Sequence, residues 1–166
     1  MDTYPAQGRV YQINISRGGV PKLAIAEAYV NTLGIEGDYH TDQANHGGPD
    51  RALCLYTLEQ IQKLQQEGHP IAPGSTGENI TLQGIPQSEL QPGALLSLGD
   101  IEIELTGFAA PCQNIAESFN DGDFTRISAK LHPGESRIYA RVLCTGRIAT
   151  GDVARILLAS REENRD

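Results

Sequence analysis

Cys112 is the cysteine whose sequence context best suits chemistry. It follows a proline in residues 107–114, directly after a strand-like run, and a short helix is predicted to begin at Gln113. Free N–H groups at a helix start favour a thiolate, which is both a nucleophile and a soft metal ligand. Cys54 and Cys144 lie in apolar strand-like runs, where a thiol usually acts as a small hydrophobic side chain. A buried core position remains the alternative interpretation of Cys112.

A second candidate segment, residues 37–51, contains two histidines, three aspartates and Arg51. Its paired glycines would let main-chain N–H groups approach a ligand, and the Arg51 guanidinium matches a phosphate or carboxylate. His40 and His46 with a carboxylate form an alternative metal site, although their spacing matches no tight motif. A solvated surface loop is the third interpretation.

The third candidate segment is the glycine-rich stretch at residues 73–79, which leads into an alternating apolar and polar run. Main-chain groups around Gly77 could hold a ligand, and Glu78 and Asn79 could hydrogen-bond the edge of a heterocycle. A turn without function is the alternative, because glycine, serine and asparagine are common in turns.

The elements that must position these segments are patterned mainly as strands. Residues 94–98 and 101–106 flank Gly99-Asp100, a dipeptide typical of a tight hairpin turn. A second pairing is predicted between residues 138–145 and 152–158, with a loop between them. Residues 9–15 are predicted to form the first strand.

Two helices are predicted in the connections. Thr57 and Gln60 match a capping box, Leu58, Ile61 and Leu64 form an apolar stripe, and a glycine and a proline follow. A second helix is predicted over residues 124–131, with Asp123 as its cap. Short strands, glycine-rich turns and few helices indicate a mainly β, barrel-like fold with a few short helices in the connections.

Composition limits the classes of function. The 166 residues suit a single domain, 1–166, with a core at about 8–158 and a polar tail at 159–166. Three well-separated cysteines favour neither a zinc site nor a disulfide scaffold. Without a signal peptide or a membrane-spanning run, we expect a cytoplasmic protein. A formal charge of -8 argues against nucleic acids and anionic membranes as partners.

The three segments, taken in order, resemble the MOSC domain, named for the C-terminal part of molybdenum cofactor sulfurases. The matching pieces span nearly the whole chain: Gly37-Asp38 with His40, residues 46–52, Gly77-Glu78-Asn79, residues 91–93 with 99–100, Pro111-Cys112, residues 139–142, Gly146 and Gly151-Asp152. Each piece is weak alone, but the ordered set is specific.

The resemblance implies a β-rich fold associated with the molybdenum-pterin cofactor (Moco). The cysteine of the Pro-Cys motif, here Cys112, would either ligate molybdenum or carry sulfur. The resemblance also implies that six residues line the cofactor pocket, with the two arginines as anion binders: His46, Arg51, Gly77, Glu78, Asn79 and Arg141.

Three functions follow from the resemblance. The first is an oxidoreductase that uses Cys112 as molybdenum ligand to reduce N-hydroxylated compounds. Because no ferredoxin-like cysteine cluster is present, its electrons would come from a separate protein. The second is a sulfur carrier with a Cys112 persulfide, supplied by a cysteine desulfurase. The third is a cofactor-binding module without turnover. Pyridoxal phosphate is not expected, because none of the three lysines lies in a motif.

Overall fold

A closed barrel of seven strands forms the centre of the protein. The computed structural model describes residues 7–39 and 48–160. Its strands are β1 (Gln7–Ile15), β2 (Leu23–Ile25), β3 (Glu27–Asn31), β4 (Gly34–Ile35), β5 (Leu53–Thr57), β6 (Ile80–Gln83), β7 (Leu95–Leu98), β8 (Ile101–Phe108), β9 (Ile138–Cys144), β10 (Gly146–Ala149) and β11 (Val153–Leu158). The predicted mainly β, barrel-like fold is confirmed.

The barrel follows the strand order β11-β7-β8-β9-β5-β6-β1 and closes where β1 pairs with β11. Strand β2 extends it from β1, and β10, β3 and β4 form a separate three-stranded sheet. The pairings are antiparallel except for β5 with β6, which are connected by helix α1 (Leu58–Gln66). A parallel pair requires such a crossover connection.

The hairpin of β7 and β8 forms as predicted. Its two strands pair in register from Leu98 opposite Ile101 to Leu95 opposite Glu104, with Gly99 and Asp100 in the turn. In β8 the side chains of Ile101, Ile103 and Leu105 are buried. The alternation therefore places the apolar residues inside the barrel, as expected for a sheet with one solvated face.

The predicted pairing of residues 138–145 with 152–158 is wrong. Strand β9 pairs with β8 and β5, whereas β11 pairs with β7 and β1. Residues 146–149 are strand β10, which pairs with β3 in the smaller sheet. Because both edges of β9 are already hydrogen-bonded within the barrel, the chain leaves through β10 before it returns as β11.

Helix α1 begins as predicted, with the hydroxyl of Thr57 accepting a hydrogen bond from the N–H of Gln60 at 3.2 Å. The apolar stripe of Leu58, Ile61 and Leu64 is buried. Gln60 does not complete the capping box, because the main-chain N–H of Thr57 donates to the side-chain oxygen of Gln87 at 3.0 Å instead, while the side-chain amide of Gln60 donates to Glu135. Among the described residues, no helix is long and apolar enough to cross a membrane.

The second predicted helix is replaced by a 3-10 helix at Phe124–Ile127. Asp123 does not cap it, since its carboxylate accepts from the Thr125 hydroxyl rather than from a main-chain N–H. This 3-10 helix belongs to a second apolar cluster, separate from the barrel core. The members of this cluster come from β5, α1, the connection between α1 and β6, and the connection between β8 and β9: Tyr56, Ile61, Leu64, Ile71, Ile115, Phe119 and Ile127.

Candidate functional site

A cleft with a volume of about 90 Å³ lies where β5, β9, the 74–79 loop and the connection after β8 meet. It brings together predicted residues from all three sequence segments. Its lining residues are Gly19, Val20, Lys22, Tyr39, Arg51, Cys54, Thr76, Gly77, Asn79, Cys112, Asn114, Ile115, Arg137 and Tyr139. Three of these are cationic and none is a carboxylate, although the whole protein carries a formal charge of -8.

Cys112 lies at the start of a 3-10 helix, Gln113–Ser118, as the sequence predicted. Its carbonyl accepts a hydrogen bond from the N–H of Ile115 at 3.1 Å, and Ile115 packs into the second apolar cluster. The side chain of Cys112 is partly exposed and lines the cleft. The thiol is thus reachable from solvent and held in place by a buried neighbour.

The other two thiols differ from Cys112 and from each other. Cys54 is buried in β5, and that burial raises the pKa of its thiol to about 11. Cys144 was expected in an apolar context, but it is exposed at the end of β9 opposite Glu102. Partial desolvation and the Glu102 carboxylate raise the pKa of Cys144. Cys54 also lines the cleft, whereas Cys144 does not.

Arg51 lies on a single 3-10 turn, Pro49–Arg51, that follows Gly48. Its guanidinium lies 5.4 Å from the centroid of the Tyr139 ring, within the range of a cation–π contact. Tyr139 lies opposite Cys54 across the β5–β9 pair, and burial together with the nearby Cys54 raises the pKa of its hydroxyl to about 12. The guanidinium of Arg51 and the ring of Tyr139 therefore lie together in the lining of the cleft.

Arg137 is one of the cleft residues that the sequence analysis did not identify. Its side chain is only 5% exposed, with Nη1 donating to the Thr76 carbonyl at 2.7 Å and Nη2 donating to the Ala110 carbonyl at 3.4 Å. Its Nε is buried without a hydrogen-bond partner. No ion pair joins Arg137 to a carboxylate within residues 7–39 and 48–160. Buried charges are normally paired, so this guanidinium is suited to an anionic ligand.

Lys22 contributes the third cation, but it is neutralised. Its ammonium contacts both carboxylate oxygens of Asp38, at 2.6 and 2.8 Å. Asp38 also accepts from the side-chain amide of Asn79 at 2.8 Å, and the amide oxygen of Asn79 accepts from the main-chain N–H of Cys54 at 3.0 Å. Asn79 therefore lines the cleft and also links β5 to the Lys22–Asp38 pair through these hydrogen bonds.

Gly77 lines the cleft, but Glu78 does not. The Glu78 carboxylate is fully buried and accepts from the N–H of Gly74 at 2.9 Å and from the hydroxyls of Thr76 and Thr81 at 3.0 and 3.1 Å. Burial raises the pKa of Glu78. The expectation that it touches a ligand is corrected: its carboxylate points inward and shapes the loop that carries Gly77.

Arg141 lies outside the cleft, in an adjoining groove of about 600 Å³ that shares Arg51 and Tyr139 with it. Its guanidinium pairs with Asp50 through Nε at 2.8 Å and with Glu104 through Nη1 at 3.0 Å. Residues 137, 139 and 141 lie on the same face of the chain at the start of β9. Positions 137 and 141 are four residues apart, which corresponds to roughly 13 Å along a strand. Arg137 thus occupies the place in the cleft that the sequence analysis expected for Arg141.

Two predicted histidines, His40 and His46, lie outside the described residues. The alternative metal site, which these two histidines would form, therefore also lies outside the described residues. Within residues 7–39 and 48–160, no group of three or more histidine, cysteine, aspartate or glutamate side chains is arranged to hold a metal ion.

Comparison with known families gives one clear match. The model of the MOSC domain matches residues 42–155, which is more than half of the chain. Protein YflK of Bacillus subtilis (strain 168), described as uncharacterized, is 31% identical over 129 residues, covering 77% of this chain and 57% of YflK. Protein YiiM of Escherichia coli (strain K12) is 28% identical over 105 residues, covering 61% of this chain and 47% of YiiM. The chain spans about half the length of these curated relatives.

Solved structures share the fold. The crystal structure of YiiM from Geobacillus stearothermophilus matches with a TM-score of 0.70 at 23% identity, covering 90% of this chain and 75% of that chain. YiiM from Escherichia coli matches with a TM-score of 0.66 at 23% identity, covering 94% and 70%. The crystal structure of a hypothetical protein matches with a TM-score of 0.74 at 24% identity, covering 92% and 69%. These likenesses show a common fold.

Proposed function

This chain belongs to the MOSC domain family, and from that premise we propose that it binds a molybdenum-pterin cofactor in the cleft, with the Cys112 thiolate as metal ligand, and reduces N-hydroxylated compounds. The observation that carries the proposal is the convergence of the Cys112 thiol with the Arg51 and Arg137 guanidinium groups in a cleft that no carboxylate of residues 7–39 and 48–160 lines. Family membership supports an association with the cofactor, and the cleft chemistry supports its location.

The donor set fits such a cofactor. A thiolate is a soft ligand that suits thiophilic metals, and guanidinium groups bind phosphate with paired hydrogen bonds. The buried Nε of Arg137 has an unused N–H to offer an anion. A volume of about 90 Å³ is small beside the roughly 300–1,000 Å³ typical of ligand pockets, so a pterin-sized cofactor requires the adjoining groove as well.

The side chains have separable tasks in this proposal. Arg51 and Arg137 bind the anionic group, and the Lys22–Asp38 pair with Asn79 holds the opposite wall. The Tyr139 ring, which Arg51 covers at 5.4 Å from the centroid, forms part of the cleft wall beside these cations. When bound, the cofactor would supply two-electron chemistry at its metal, with electrons from a separate donor protein. A reducing cytoplasm would keep the thiol of Cys112 available.

Elemental analysis tests the proposal. The protein is expressed in a host that makes the cofactor, and the metal content of the purified wild type is compared with that of Cys112→Ser and Cys144→Ser. We expect about one molybdenum per wild-type and Cys144→Ser chain and a large loss in Cys112→Ser. Molybdenum retained equally by all three proteins would reject Cys112 as the ligand, and its absence from all three would reject the cofactor.

The second candidate function is a sulfur carrier. It is favoured by the partly exposed thiol of Cys112, which lies beside cationic groups in the cleft, because a persulfide needs no further protein ligand. Intact-mass spectrometry of the non-reduced protein distinguishes the two functions. One added sulfur on Cys112 without bound molybdenum supports the carrier, whereas molybdenum without added sulfur supports the reductase. Bound cofactor without turnover would indicate a binding module.

A further inference from the structure

Strand β8 carries no side chain at Gly107, which lines the groove beside the cleft together with Tyr139 and Arg141. We infer that Gly107 is a specificity-determining residue: it leaves room on the strand for a planar, uncharged ring of the ligand whose anionic end lies in the cleft. The inference rests on the ligand site proposed above. It adds to that site the residue that limits the width of the ligand in the groove.

The strand register places position 107 next to Tyr139. Gly107 lies opposite Tyr139 across the β8–β9 pair, and the pairing shifts between Leu105 and Gly107, which leaves Thr106 as an extra residue in β8. Phe108 packs against the barrel core, so a side chain at the preceding position would point to the other face, toward the groove. Side chains that face each other in this way have Cβ atoms about 4.5–5.5 Å apart. A side chain at position 107 would therefore lie beside Tyr139.

The backbone conformation does not require glycine at this position. Gly107 does not have a positive φ, and strand backbone is open to other residues. The type of bulge that needs glycine holds it in the left-handed conformation, which Gly107 does not adopt. A glycine inside a strand also lowers stability, because it loses more conformational freedom on folding and has no side chain to pack. The shift in pairing therefore does not explain the glycine.

Close packing does not require glycine either. A Cβ built on Gly107 meets no atom of residues 7–39 and 48–160 within 4 Å. On Gly146, which also lacks a positive φ, a Cβ would lie 3.0 Å from the Cβ of Asp100, and on Gly8 it would overlap the carbonyl oxygen of Gln83. Among the described residues, Gly107 is the one glycine that combines open space at Cβ with a backbone that other residues adopt.

The lining of the groove suits a flat ring in this space. A glycine in a strand often marks a place where a ligand approaches the main chain closely, and the Tyr139 ring offers an aromatic neighbour for an offset or edge contact. The carboxylates of Asp50 and Glu104 are both paired with Arg141, which favours an uncharged ring over a cationic one. Because Tyr139 lines both the groove and the cleft, such a ring would continue into the anion site.

A graded substitution tests the inference on the full chain purified without cofactor. Wild type, Gly107→Ala and Gly107→Val are titrated with pterin, a planar uncharged heterocycle, and binding is followed by quenching of its fluorescence. We expect binding to weaken roughly two- to fivefold in Gly107→Ala and more than about tenfold in Gly107→Val, because the added side chain fills the space. The urea midpoint of Gly107→Ala should equal or exceed that of the wild type, since a strand glycine is replaced.

Ser97→Val is the matched control. Ser97 lies in β7 between the buried Leu96 and Leu98, so its side chain is on the outer face of the barrel, and it lines neither the groove nor the cleft. The substitution adds a valine side chain to a strand surface outside the site. It should leave the affinity for pterin unchanged.

Protein from a host that makes the cofactor shows whose ring occupies the space. Loss of bound molybdenum and pterin in Gly107→Val, with Cys112 intact, would indicate the ring of the cofactor itself. Unchanged loading, together with binding of added pterin to the loaded wild type but not to loaded Gly107→Val, would indicate a ring of the substrate. Either result supports the inference.

Two results would overturn it. Equal pterin binding and equal cofactor loading in wild type and Gly107→Val would mean that no ring occupies this space. A lowered urea midpoint in Gly107→Ala would mean that the folded chain itself fills the space. Failure of the proposed function is distinguishable: a wild type without molybdenum, whose pterin binding still depends on residue 107, would reject the metal site and retain the ring site. A molybdenum-loaded wild type with normal Gly107 variants would reject the ring site alone.

Discussion

Arg137 Nη1 donates to the main-chain carbonyl of Thr76 at 2.7 Å, and this bond joins the start of β9 to the loop that forms the opposite wall of the cleft. A buried guanidinium held by main-chain carbonyls keeps its full charge. Since no carboxylate of the described residues pairs with it, burial of this charge lowers the stability of the folded protein. Residues that cost stability in this way are commonly retained for function.

Replacing Arg137 with methionine should separate stability from binding. We expect Arg137→Met to change the free energy of unfolding by no more than about 1 kcal/mol, because the lost hydrogen bonds are offset by the removal of a buried charge. Inorganic phosphate at ten times its dissociation constant should stabilise the wild type by about 1.4 kcal/mol and leave Arg137→Met unaffected. Urea unfolding with and without phosphate measures both effects.

Arg147→Met is the matched control, because Arg147 is exposed and paired with Glu27. It should retain the response to phosphate. A phosphate response that survives in Arg137→Met would show that the anion binds elsewhere.

Glu78 should behave as a structural residue. Glu78→Ala leaves the N–H of Gly74 and two hydroxyls without their acceptor, so we expect it to lower the free energy of unfolding by about 2–4 kcal/mol. Glu78→Gln keeps one oxygen and should cost less. Urea unfolding of the three proteins measures the costs, and a loss below about 1 kcal/mol in Glu78→Ala would contradict the role.

The pH dependence of Glu78 has a definite sign. Burial raises its pKa in the folded state, so the folded protein holds this proton more tightly than the unfolded chain. The contribution of Glu78 to stability is therefore full below the unfolded pKa of about 4.3 and falls as the pH rises through the raised value. Glu78→Gln lacks this dependence, and its cost relative to wild type should be larger at pH 4 than at pH 7.

The local parts of the fold were predictable from the sequence. Alternation in β8 and the Gly99-Asp100 turn fix a hairpin between neighbouring segments, and Thr57 marks the start of α1. The partners of β9 and β11 were not predictable, because barrel closure pairs strands that are distant in sequence. The local sequence pattern of residues 146–149 does not indicate that they pair with β3 instead of forming a loop.

The site was only partly predictable, because some of its features depend on local patterns and others on contacts between residues that are distant in sequence. Cys112 and Gly77 lie in local patterns that place them at the ends of strands, and the structure brings both to the cleft. Arg137 lies outside any motif, and its importance comes from burial without a carboxylate partner, which depends on contacts distant in sequence. A weak signal was present: Arg137, Tyr139 and Arg141 are spaced two residues apart, and residues with this spacing lie on the same face of an extended chain.

The three thiols should differ in reactivity. We expect iodoacetamide at pH 7 to label Cys112 first. Cys54 should react slowest, because it is buried and a pKa of about 11 leaves about one thiolate in ten thousand at pH 7. Cys144 is exposed, but its raised pKa beside Glu102 disfavours the reactive thiolate. Time-resolved peptide mass spectrometry measures the order, and faster labelling of Cys54 or of Cys144 than of Cys112 would contradict the assignment of Cys112 as the reactive thiol.

An ionic network around Glu135 ties helix α1 to the connection before β9. The Glu135 carboxylate contacts Lys63 at 2.8 Å, Arg126 at 3.0 Å and the side-chain amide of Gln60 at 3.1 Å. Burial opposes ionisation, but hydrogen bonds from Lys63, Gln60 and Arg126 together lower the pKa of Glu135 to about 2. Arg126 is held in turn by Glu67 at 2.8 Å. The network therefore favours the ionised form of Glu135 in the folded protein.

Glu135→Gln should consequently lose stability in a defined pH window. A folded-state pKa below the unfolded value of about 4.3 stabilises the protein above that value, and the contribution disappears as the pH falls toward about 2. We expect Glu135→Gln to be about 1–3 kcal/mol less stable than wild type at pH 7, with the difference shrinking between about pH 4.3 and pH 2. Urea unfolding at pH 7, 4 and 3 measures it. A difference that stays constant across this range would mean that shape and hydrogen bonding, rather than the charge of Glu135, stabilise this connection.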